Sequence, residues 1–181
     1  MQDFRVVLIL GGTRSGKSRL ALALAKARGE PRLYIATGEA GDEEMAARIA
    51  WHRRERGPGW DTREVPCKLA EAITGAGSSY AVVVVDCLTL CLSNLLLQGP
   101  PEAHLEEAFL ELGEAVKRAP APIILVSNEV GLGIVPDNPL ARQFRDLTGR
   151  LHQRLAQAAD LVILTLAGLP LVLKQIPQKD V

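Results

Sequence analysis

The chain has 181 residues, and this length predicts a single domain spanning residues 1–181. Hydrophobic residues make up 48% of the chain and charged residues 23%, a globular composition that excludes a disordered or fibrous protein. Because 21 basic residues balance 21 acidic ones, the formal net charge is +0, so we expect no nucleic-acid partner.

Predicted strands and helices alternate along the chain. Short apolar runs rich in β-branched residues are typical of strands buried on both faces of a parallel sheet, and apolar residues at helical spacing predict helices. In chain order we predict strand Phe4–Leu10, helix Ser18–Arg28, strand Leu33–Thr37, helix Asp42–Arg56, strand Ala81–Val85, helix Glu102–Arg118, strand Pro122–Ser127, helix Leu140–Ala159 and strand Leu161–Leu166. Leu169–Val181 is predicted as a last edge strand with a loose tail. This alternation predicts an α/β fold with a doubly wound, mainly parallel sheet.

One apolar stretch, Tyr80–Leu97, is long enough to raise the question of a membrane span. It contains Asp86, and a carboxylate near the centre of a bilayer is costly, so we predict no membrane span. Cys67, Cys87 and Cys91 lack C-x-x-C spacing, and their odd number leaves one cysteine unpaired. This pattern favours the reducing environment of the cytoplasm.

A phosphate-binding motif follows the first predicted strand and precedes the first predicted helix. Its residues are Gly11, Gly12, Thr13, Arg14, Ser15, Gly16, Lys17 and Ser18, which fit the pattern G-x-x-x-x-G-K-[ST]. The glycines allow consecutive backbone N–H groups to point at phosphate oxygens, and the helix N-terminus adds partial positive charge. Lys17 can reach the terminal phosphates of ATP or GTP, and the Ser18 hydroxyl can ligate Mg²⁺. The motif therefore predicts the architecture of a P-loop NTPase.

Asp86 directly follows the four valines at positions 82–85. In P-loop proteins an acid at such a strand end holds Mg²⁺ directly or through water. An ordinary strand-end carboxylate is the alternative interpretation, since apolar runs that end in aspartate are common. Together with the phosphate loop, Asp86 is a candidate metal or nucleotide ligand.

Further residues narrow the class of phosphate chemistry. Asn128-Glu129-Val130-Gly131 is not the N-K-x-D run of switch GTPases, and Thr89 stands where their D-x-x-G motif needs glycine. A recombinase-like ATPase needs a basic surface for nucleic acid, which a neutral chain does not favour. A small-molecule kinase or a nucleotidyltransferase remains.

The predicted helix Asp42–Arg56 is the most unusual segment. Arg48, His52 and Arg56 are spaced i, i+4, i+8 and therefore share one helix face. Neighbouring cations disfavour protonation of the imidazole, which leaves it neutral and nucleophilic, and they would attract a polyphosphate. On these residues alone, a histidine on a solvated charged face is the favoured interpretation, and a catalytic nucleophile is the alternative.

Several other residues receive structural interpretations. His152 neighbours Arg150 and Arg154, and we predict that it lies on the polar side of its helix in a structural role. Trp60 is interpreted as a packing residue. Gly131-Leu132-Gly133 follows a predicted strand and is a candidate active-site loop without an assigned chemical role.

Four segments together closely resemble one enzyme family. They are the phosphate loop at 11–18, Tyr34-Ile35-Ala36-Thr37, the helix at 42–56 and the stretch from Asn128 to Pro136. From about Val6 to Gly168 the chain resembles the bifunctional adenosylcobinamide kinase/adenosylcobinamide-phosphate guanylyltransferase of cobalamin biosynthesis. This combination is far more selective than the phosphate loop alone.

The resemblance implies a two-stage enzyme with a RecA-like P-loop fold. A nucleoside triphosphate, ATP or GTP, phosphorylates the aminopropanol hydroxyl of adenosylcobinamide. GTP then donates GMP to that phosphate, which releases pyrophosphate and gives adenosylcobinamide-GDP. In the family a histidine carries GMP as a phosphoramidate, and His52 falls at that position. Some members have a second histidine just before it, where this chain has Trp51.

The resemblance also implies nucleotide contacts and an assembly. Besides the phosphate loop, the nucleotide-binding residues would be Thr37, Gly38, Glu39, Arg53, Arg54, Glu55, Arg56, Glu64 and Asp86, and Ser18 and Asp86 would hold Mg²⁺. The resemblance also implies that the chain assembles as a homotrimer. Two alternatives stay open: another P-loop small-molecule kinase in which His52 is structural, and a non-catalytic nucleotide-binding regulator.

Overall fold

A computed structural model describes residues 4–39, 41, 43, 47, 50, 53, 54 and 56–176. Its elements are β1 (Val6–Gly11), α1 (Lys17–Lys26), β2 (Arg32–Ala36), β3 (Trp60–Glu64), α2 (Leu69–Thr74), β4 (Val82–Asp86), α3 (Leu88–Leu97), α4 (Glu102–Lys117), β5 (Ile123–Asn128), α5 (Pro139–Ala158), β6 (Leu161–Leu166) and β7 (Leu169–Gln175). Among the described residues, none of the helices combines the length and the apolar character that crossing a bilayer requires.

The strands form one seven-stranded sheet in the order β3-β2-β4-β5-β1-β6-β7. Every neighbouring pair is parallel except β6 and β7, which are antiparallel. The predicted α/β class and the mainly parallel sheet are thus confirmed. Because the β1 strand lies inside the sheet, helices must cross over on both faces to connect it, and the carboxyl ends of the parallel strands meet at one edge.

Successive side chains of the central strands point to opposite faces of the sheet, and each face is covered by its own hydrophobic cluster. Val6 and Leu8 of β1 pack in one cluster with side chains of α2, α3, α4 and α5, including Leu92 and Phe109. Val7 and Ile9 pack in the other cluster, against α1. Since both faces are covered, apolar residues are needed at every position, which explains the continuous runs in the sequence.

The predicted strands at the centre of the sheet are confirmed to within one or two residues at their ends. Three elements were not predicted: β3, α2 and α3. The β3 strand lies at the sheet edge, and its sequence Trp60–Glu64 is mostly polar, so it lacks an apolar run. The α3 helix follows the valines of β4 so closely that the two elements form one apolar stretch in the sequence.

The predicted helix Asp42–Arg56 lies only partly within the described residues. At positions 43, 47, 50, 53, 54 and 56 the backbone is helical, which agrees with the prediction at those positions. Arg48, Trp51, His52 and Glu55 lie outside the described residues.

The central β5 strand offers a test of the core. Leu125 is 0% exposed, whereas Leu110 on α4 is 51% exposed. We expect Leu125→Ala to lower the free energy of unfolding by about 2–5 kcal/mol, because it leaves a cavity between packed layers. Leu110→Ala removes the same atoms from a half-exposed position and should change the free energy of unfolding by less than about 1 kcal/mol. Urea denaturation of both variants measures the difference, and equal losses would contradict this description of the core.

Candidate functional site

The candidate site lies at the edge where the carboxyl ends of the parallel strands meet. In the sheet register Gly11 at the end of β1 pairs with Asn128 at the end of β5. Asp86 at the end of β4 pairs with Ala36 on β2 and Val126 on β5. The phosphate loop and Asp86 are therefore separated by the single strand β5, and ligands of open α/β sheets bind at such an edge.

The phosphate loop connects β1 directly to α1, as the motif predicts. Gly16 adopts the left-handed conformation with a φ of 97°, and this turn allows the helix to begin at Lys17. Thr13 and Arg14 are exposed, and the Lys17 side chain folds back so that Nζ donates to the Gly12 carbonyl oxygen at 2.7 Å. The loop thus has the shape of an anion-binding turn at a helix N-terminus.

Strand β6 holds the loop from the side opposite β5. The Ser15 hydroxyl is buried and lies 2.7 Å from Thr165 Oγ1, which also donates to the Leu10 carbonyl oxygen at 3.1 Å. The Gly168 backbone N–H donates to the Ser15 carbonyl oxygen at 3.0 Å. Thr165 was not singled out from the sequence. The available signal was a hydroxyl inside an otherwise apolar strand, which needs a buried partner.

Thr37 joins the ends of β2 and β4. It is 0% exposed, and its Oγ1 accepts from the Cys87 backbone N–H at 2.8 Å and donates to the Cys87 carbonyl oxygen at 2.7 Å. The Asn94 side chain donates to the Thr37 carbonyl oxygen at 2.9 Å. These bonds engage the hydroxyl within the fold, so Thr37 supports the turn that carries the half-buried Gly38 and the exposed Glu39.

Tyr34 connects two of the predicted site residues. Its hydroxyl donates to Asp86 Oδ2 at 3.1 Å, and the Arg56 guanidinium carbon lies 3.8 Å from the centre of its ring. Arg56 is only 5% exposed, and its Nη2 donates to Thr62 Oγ1 at 3.2 Å. Burial and the neighbouring Asp86 carboxylate hold the pKa of Tyr34 far above its usual value, so the phenol remains a proton donor.

Asp86 and Ser18 fit the requirements of Mg²⁺. This cation prefers oxygen ligands, and proteins commonly hold it through one or two carboxylates together with substrate phosphates. Tyr34 bonds to Oδ2 of Asp86, and the Ser18 hydroxyl lies in the first turn of α1 beside the phosphate loop. Burial, then Asp86, raise the pKa of the neighbouring Cys87 thiol, and the Lys17 ammonium opposes this rise.

The remaining predicted nucleotide ligands lie near β3. Arg53 forms an ion pair with Glu64, the last residue of β3, and both side chains are exposed, as is Arg54. Because β3 pairs with β2, this ion pair borders the same sheet edge as Thr37. Glu55 of this set and the predicted nucleophile His52 lie outside the described residues.

The predicted position of His152 is wrong. It does not lie on the polar side of α5 but is 6% exposed and packed toward the end of β5. Its Nε2 lies 2.7 Å from the Ser127 hydroxyl, and its Nδ1 lies 3.7 Å from Glu129 Oε2. The flanking charges Arg150 and Arg154 led to the wrong face. These two residues are four positions apart and share one face of the helix, whereas His152, two positions from each, lies on the opposite face.

Comparison with known proteins identifies the family. The family model described as cobinamide kinase / cobinamide phosphate guanyltransferase matches residues 7–173. The chain belongs to this family. Its relatives include the bifunctional adenosylcobalamin biosynthesis protein CobP of Pseudomonas aeruginosa, which is 48% identical over 94% of this chain and 98% of the relative. The corresponding protein CobU of Salmonella typhimurium is 42% identical over 93% of this chain and 99% of the relative. The resemblance stated from the sequence is confirmed.

A solved structure supports the RecA-like P-loop architecture of this family member. The RadB recombinase superposes with a TM-score of 0.51 at 18% sequence identity, covering 88% of this chain and 73% of that chain. At this level of identity the likeness concerns the fold alone. The predicted P-loop, RecA-like fold is thereby confirmed.

The packing of the phosphate loop can be tested with two glycines. A methyl group at Gly11 would lie 2.6 Å from Ser15 Oγ and 2.6 Å from the Thr165 carbonyl oxygen, whereas one at Gly12 would meet nothing within 4 Å. We expect Gly11→Ala to lower the free energy of unfolding by about 1–3 kcal/mol because it forces these atoms apart. Gly12→Ala should change the free energy of unfolding by less than about 1 kcal/mol. Both are measured by urea denaturation without nucleotide, and equal stability of the two variants would contradict the described closure of the loop.

Proposed function

We propose that this chain catalyses both reactions named for its family, in the cytoplasm. It phosphorylates adenosylcobinamide with a nucleoside triphosphate and then transfers GMP from GTP to adenosylcobinamide phosphate. The observation that carries this proposal is the family match over residues 7–173, which includes an intact phosphate loop folded at the carboxyl edge of the sheet. The neutral net charge supports the further proposal that no nucleic acid is involved.

The phosphate loop, residues 11–18, is proposed to hold the triphosphate in both reactions. Backbone N–H groups of the loop and the N-terminus of α1 would bind phosphate oxygens, and Lys17 would move from the Gly12 carbonyl oxygen to the terminal phosphates. Ser18 and Asp86 would hold Mg²⁺, which when bound neutralises charge on the phosphates. The Tyr34 hydroxyl fixes the orientation of the Asp86 carboxylate for this role.

The segments beside β2 and β3 are proposed to complete the nucleotide site. Gly38, Glu39, Arg53, Arg54 and Glu64 have side chains or backbone at the surface of the sheet edge, which supports direct contact. Thr37 and Arg56 are buried, which supports a role in holding these segments. Glu55 belongs to the proposed set on the family resemblance.

Guanylyl transfer is proposed to proceed through His52. A neutral imidazole nitrogen attacks the α-phosphorus of GTP, the bond to the β-phosphate oxygen breaks, and pyrophosphate leaves. An oxygen of adenosylcobinamide phosphate then attacks the same phosphorus, and the P–N bond breaks. Such a covalent relay divides a reaction between two anions into two displacements. Cations of the site, Lys17 among them, would stabilise the charge that develops on the transferred phosphorus.

We also propose that the chain assembles as a homotrimer, on the family resemblance. An apolar surface supports an assembly: Leu169, Leu171 and Leu173 of the edge strand β7 are 71%, 53% and 55% exposed. Exposed apolar patches of this kind are commonly buried between subunits.

His52→Ala is predicted to abolish covalent labelling of the protein by GTP labelled at the α-phosphate. Phosphorylation of adenosylcobinamide should continue, since it needs no histidine nucleophile. Labelling is measured after denaturation, together with its loss in acid, because a P–N bond is acid-labile. His104→Ala, on exposed α4, serves as the control and should label like the wild type. An acid-stable label that persists in His52→Ala would overturn the assignment.

Lys17→Ala is predicted to slow both reactions, because both handle a triphosphate in the same loop. Loss of one charged donor to a transferring phosphoryl group lowers the rate by a factor on the order of 100. Lys26→Ala, at the exposed end of the same helix, is the matched control for charge. Steady-state rates of phosphorylation and of GMP transfer are measured separately. Undiminished GMP transfer by Lys17→Ala would contradict a shared site.

A further inference from the structure

The tip of β5 lies at the centre of the candidate site, yet the proposed function gives it no task. In the register Asp86 pairs with Val126, and β5 continues for two more residues to Asn128, which pairs with Gly11. At about 3.3 Å per residue the tip extends roughly 7 Å beyond the level of Asp86. Glu129 follows immediately, and its backbone N–H donates to the Gly11 carbonyl oxygen at 2.9 Å. Its backbone is therefore fixed against the start of the phosphate loop.

The Glu129 carboxylate is oriented by a contact within its own loop. Its Oε1 accepts from the Gly131 backbone N–H at 2.5 Å. Its Oε2 lies 3.7 Å from His152 Nδ1, beyond normal hydrogen-bond distance, and the side chain is 23% exposed. One carboxylate oxygen is thus engaged, and the other is available to accept a proton.

His152 and Ser127 form a buried polar support behind this carboxylate. The Ser127 side chain is 0% exposed and lies 2.7 Å from His152 Nε2. Burial lowers the pKa of His152, and the Glu129 carboxylate partly opposes this, so the imidazole is neutral at neutral pH. We assign the tautomer with the proton on Nδ1, facing Glu129, which leaves Nε2 to accept from Ser127. The Nδ1–H group so placed attracts the carboxylate electrostatically across 3.7 Å and leaves Oε2 without a bound proton.

An open cleft leads to the same loop. It has a volume of about 560 Å³ and lies between the segment after β5 and the helix α5. Gly131, which bonds to Glu129, lines it together with Gly133, Arg145 and Arg150. The cleft therefore borders the loop that carries Glu129, on the side of α5.

From this geometry we propose that Glu129 is the proton acceptor of the kinase reaction and that His152 is its positioning residue. This inference rests on the proposed function. The hydroxyl oxygen of the substrate attacks the γ-phosphorus of the triphosphate, the bond from that phosphorus to the bridging oxygen breaks, and its electron pair leaves with the diphosphate. The hydroxyl proton passes to Glu129 Oε2 and from there to solvent, to which this side chain is 23% exposed.

The proposal separates the two reactions of the enzyme. A hydroxyl must lose a proton when it is phosphorylated, so the kinase reaction benefits from a base. The attacking nitrogen of a neutral imidazole and an ionised oxygen of a phosphate ester carry no proton that must leave, so guanylylation and GMP transfer need no proton acceptor at this place. Loss of Glu129 should therefore affect one reaction and spare the other, which a purely structural role in the loop would not do.

The test compares Glu129→Gln with Asp137→Asn, an exposed carboxylate of the same connection between β5 and α5. Glu129→Gln is expected to lower kcat for phosphorylation of adenosylcobinamide by about 10²–10⁴-fold, the usual contribution of a general base. Covalent GMP labelling and GMP transfer to supplied adenosylcobinamide phosphate should stay within threefold of the wild type. Asp137→Asn should leave all three unchanged.

Two results would overturn the role of Glu129: kinase activity of Glu129→Gln close to that of the wild type, or an equal loss of kinase activity and GMP labelling. Glu129→Asp provides a second variant that keeps a carboxylate, and it should retain more kinase activity than Glu129→Gln. A wild-type chain that labels with GMP but does not phosphorylate adenosylcobinamide would instead contradict the proposed function itself.

The positioning role of His152 has a separate readout. His152→Leu is expected to lower kcat of the kinase reaction at least tenfold with little change in the KM for the triphosphate and with normal GMP labelling. His152→Gln retains polar atoms for Ser127 and Glu129 and should recover part of kcat. Equal kcat for the two variants, or a loss of GMP labelling in parallel, would show that His152 serves only the packing of α5.

Discussion

Hydrogen bonds from the strands on both sides of β1 hold the phosphate loop in place. On one side the Glu129 N–H donates to the Gly11 carbonyl oxygen, and on the other Thr165 and Gly168 bond to Ser15. Ser15 and Thr165 are buried, so their hydroxyls would lose a buried partner if the loop opened. The loop is therefore formed by the sheet before any nucleotide arrives, so binding does not have to order it.

A second link joins segments that are far apart in the chain. The Tyr34 hydroxyl bonds to Asp86, while Arg56 lies on the face of the same ring. Arg56 is the last residue of the segment predicted to carry His52. The Tyr34 ring therefore contacts this segment and, through its hydroxyl, also holds the Asp86 carboxylate. Cation–π contact in a buried setting adds about 2 kcal/mol to such an arrangement. Tyr34 thereby connects the strand-end carboxylate to the end of the segment predicted to carry His52.

The sequence predicts best where one physical requirement dominates. The central strands need apolar side chains on both faces, and the phosphate loop needs glycine and lysine at fixed spacing, so both were predictable. The edge strand β3 is mostly polar, and its position follows from pairing with β2 rather than from its own residues. Thr165 and His152 contact residues more than twenty positions away, and a local pattern, such as the hydroxyl of Thr165 in an apolar strand, does not identify the partner. For His152 the flanking arginines pointed to the wrong face.

The bond from Lys17 to the Gly12 carbonyl oxygen has a consequence for product release. In the proposed site an arriving triphosphate would replace at least this contact with a neutral acceptor, so part of the new interaction would be offset by the bond that is lost. A product with fewer phosphates would present fewer anionic oxygens to the Lys17 ammonium than the triphosphate does. In the proposed site the Gly12 carbonyl oxygen would thus compete with phosphate oxygens for the Lys17 ammonium, which would weaken retention of the product nucleotide.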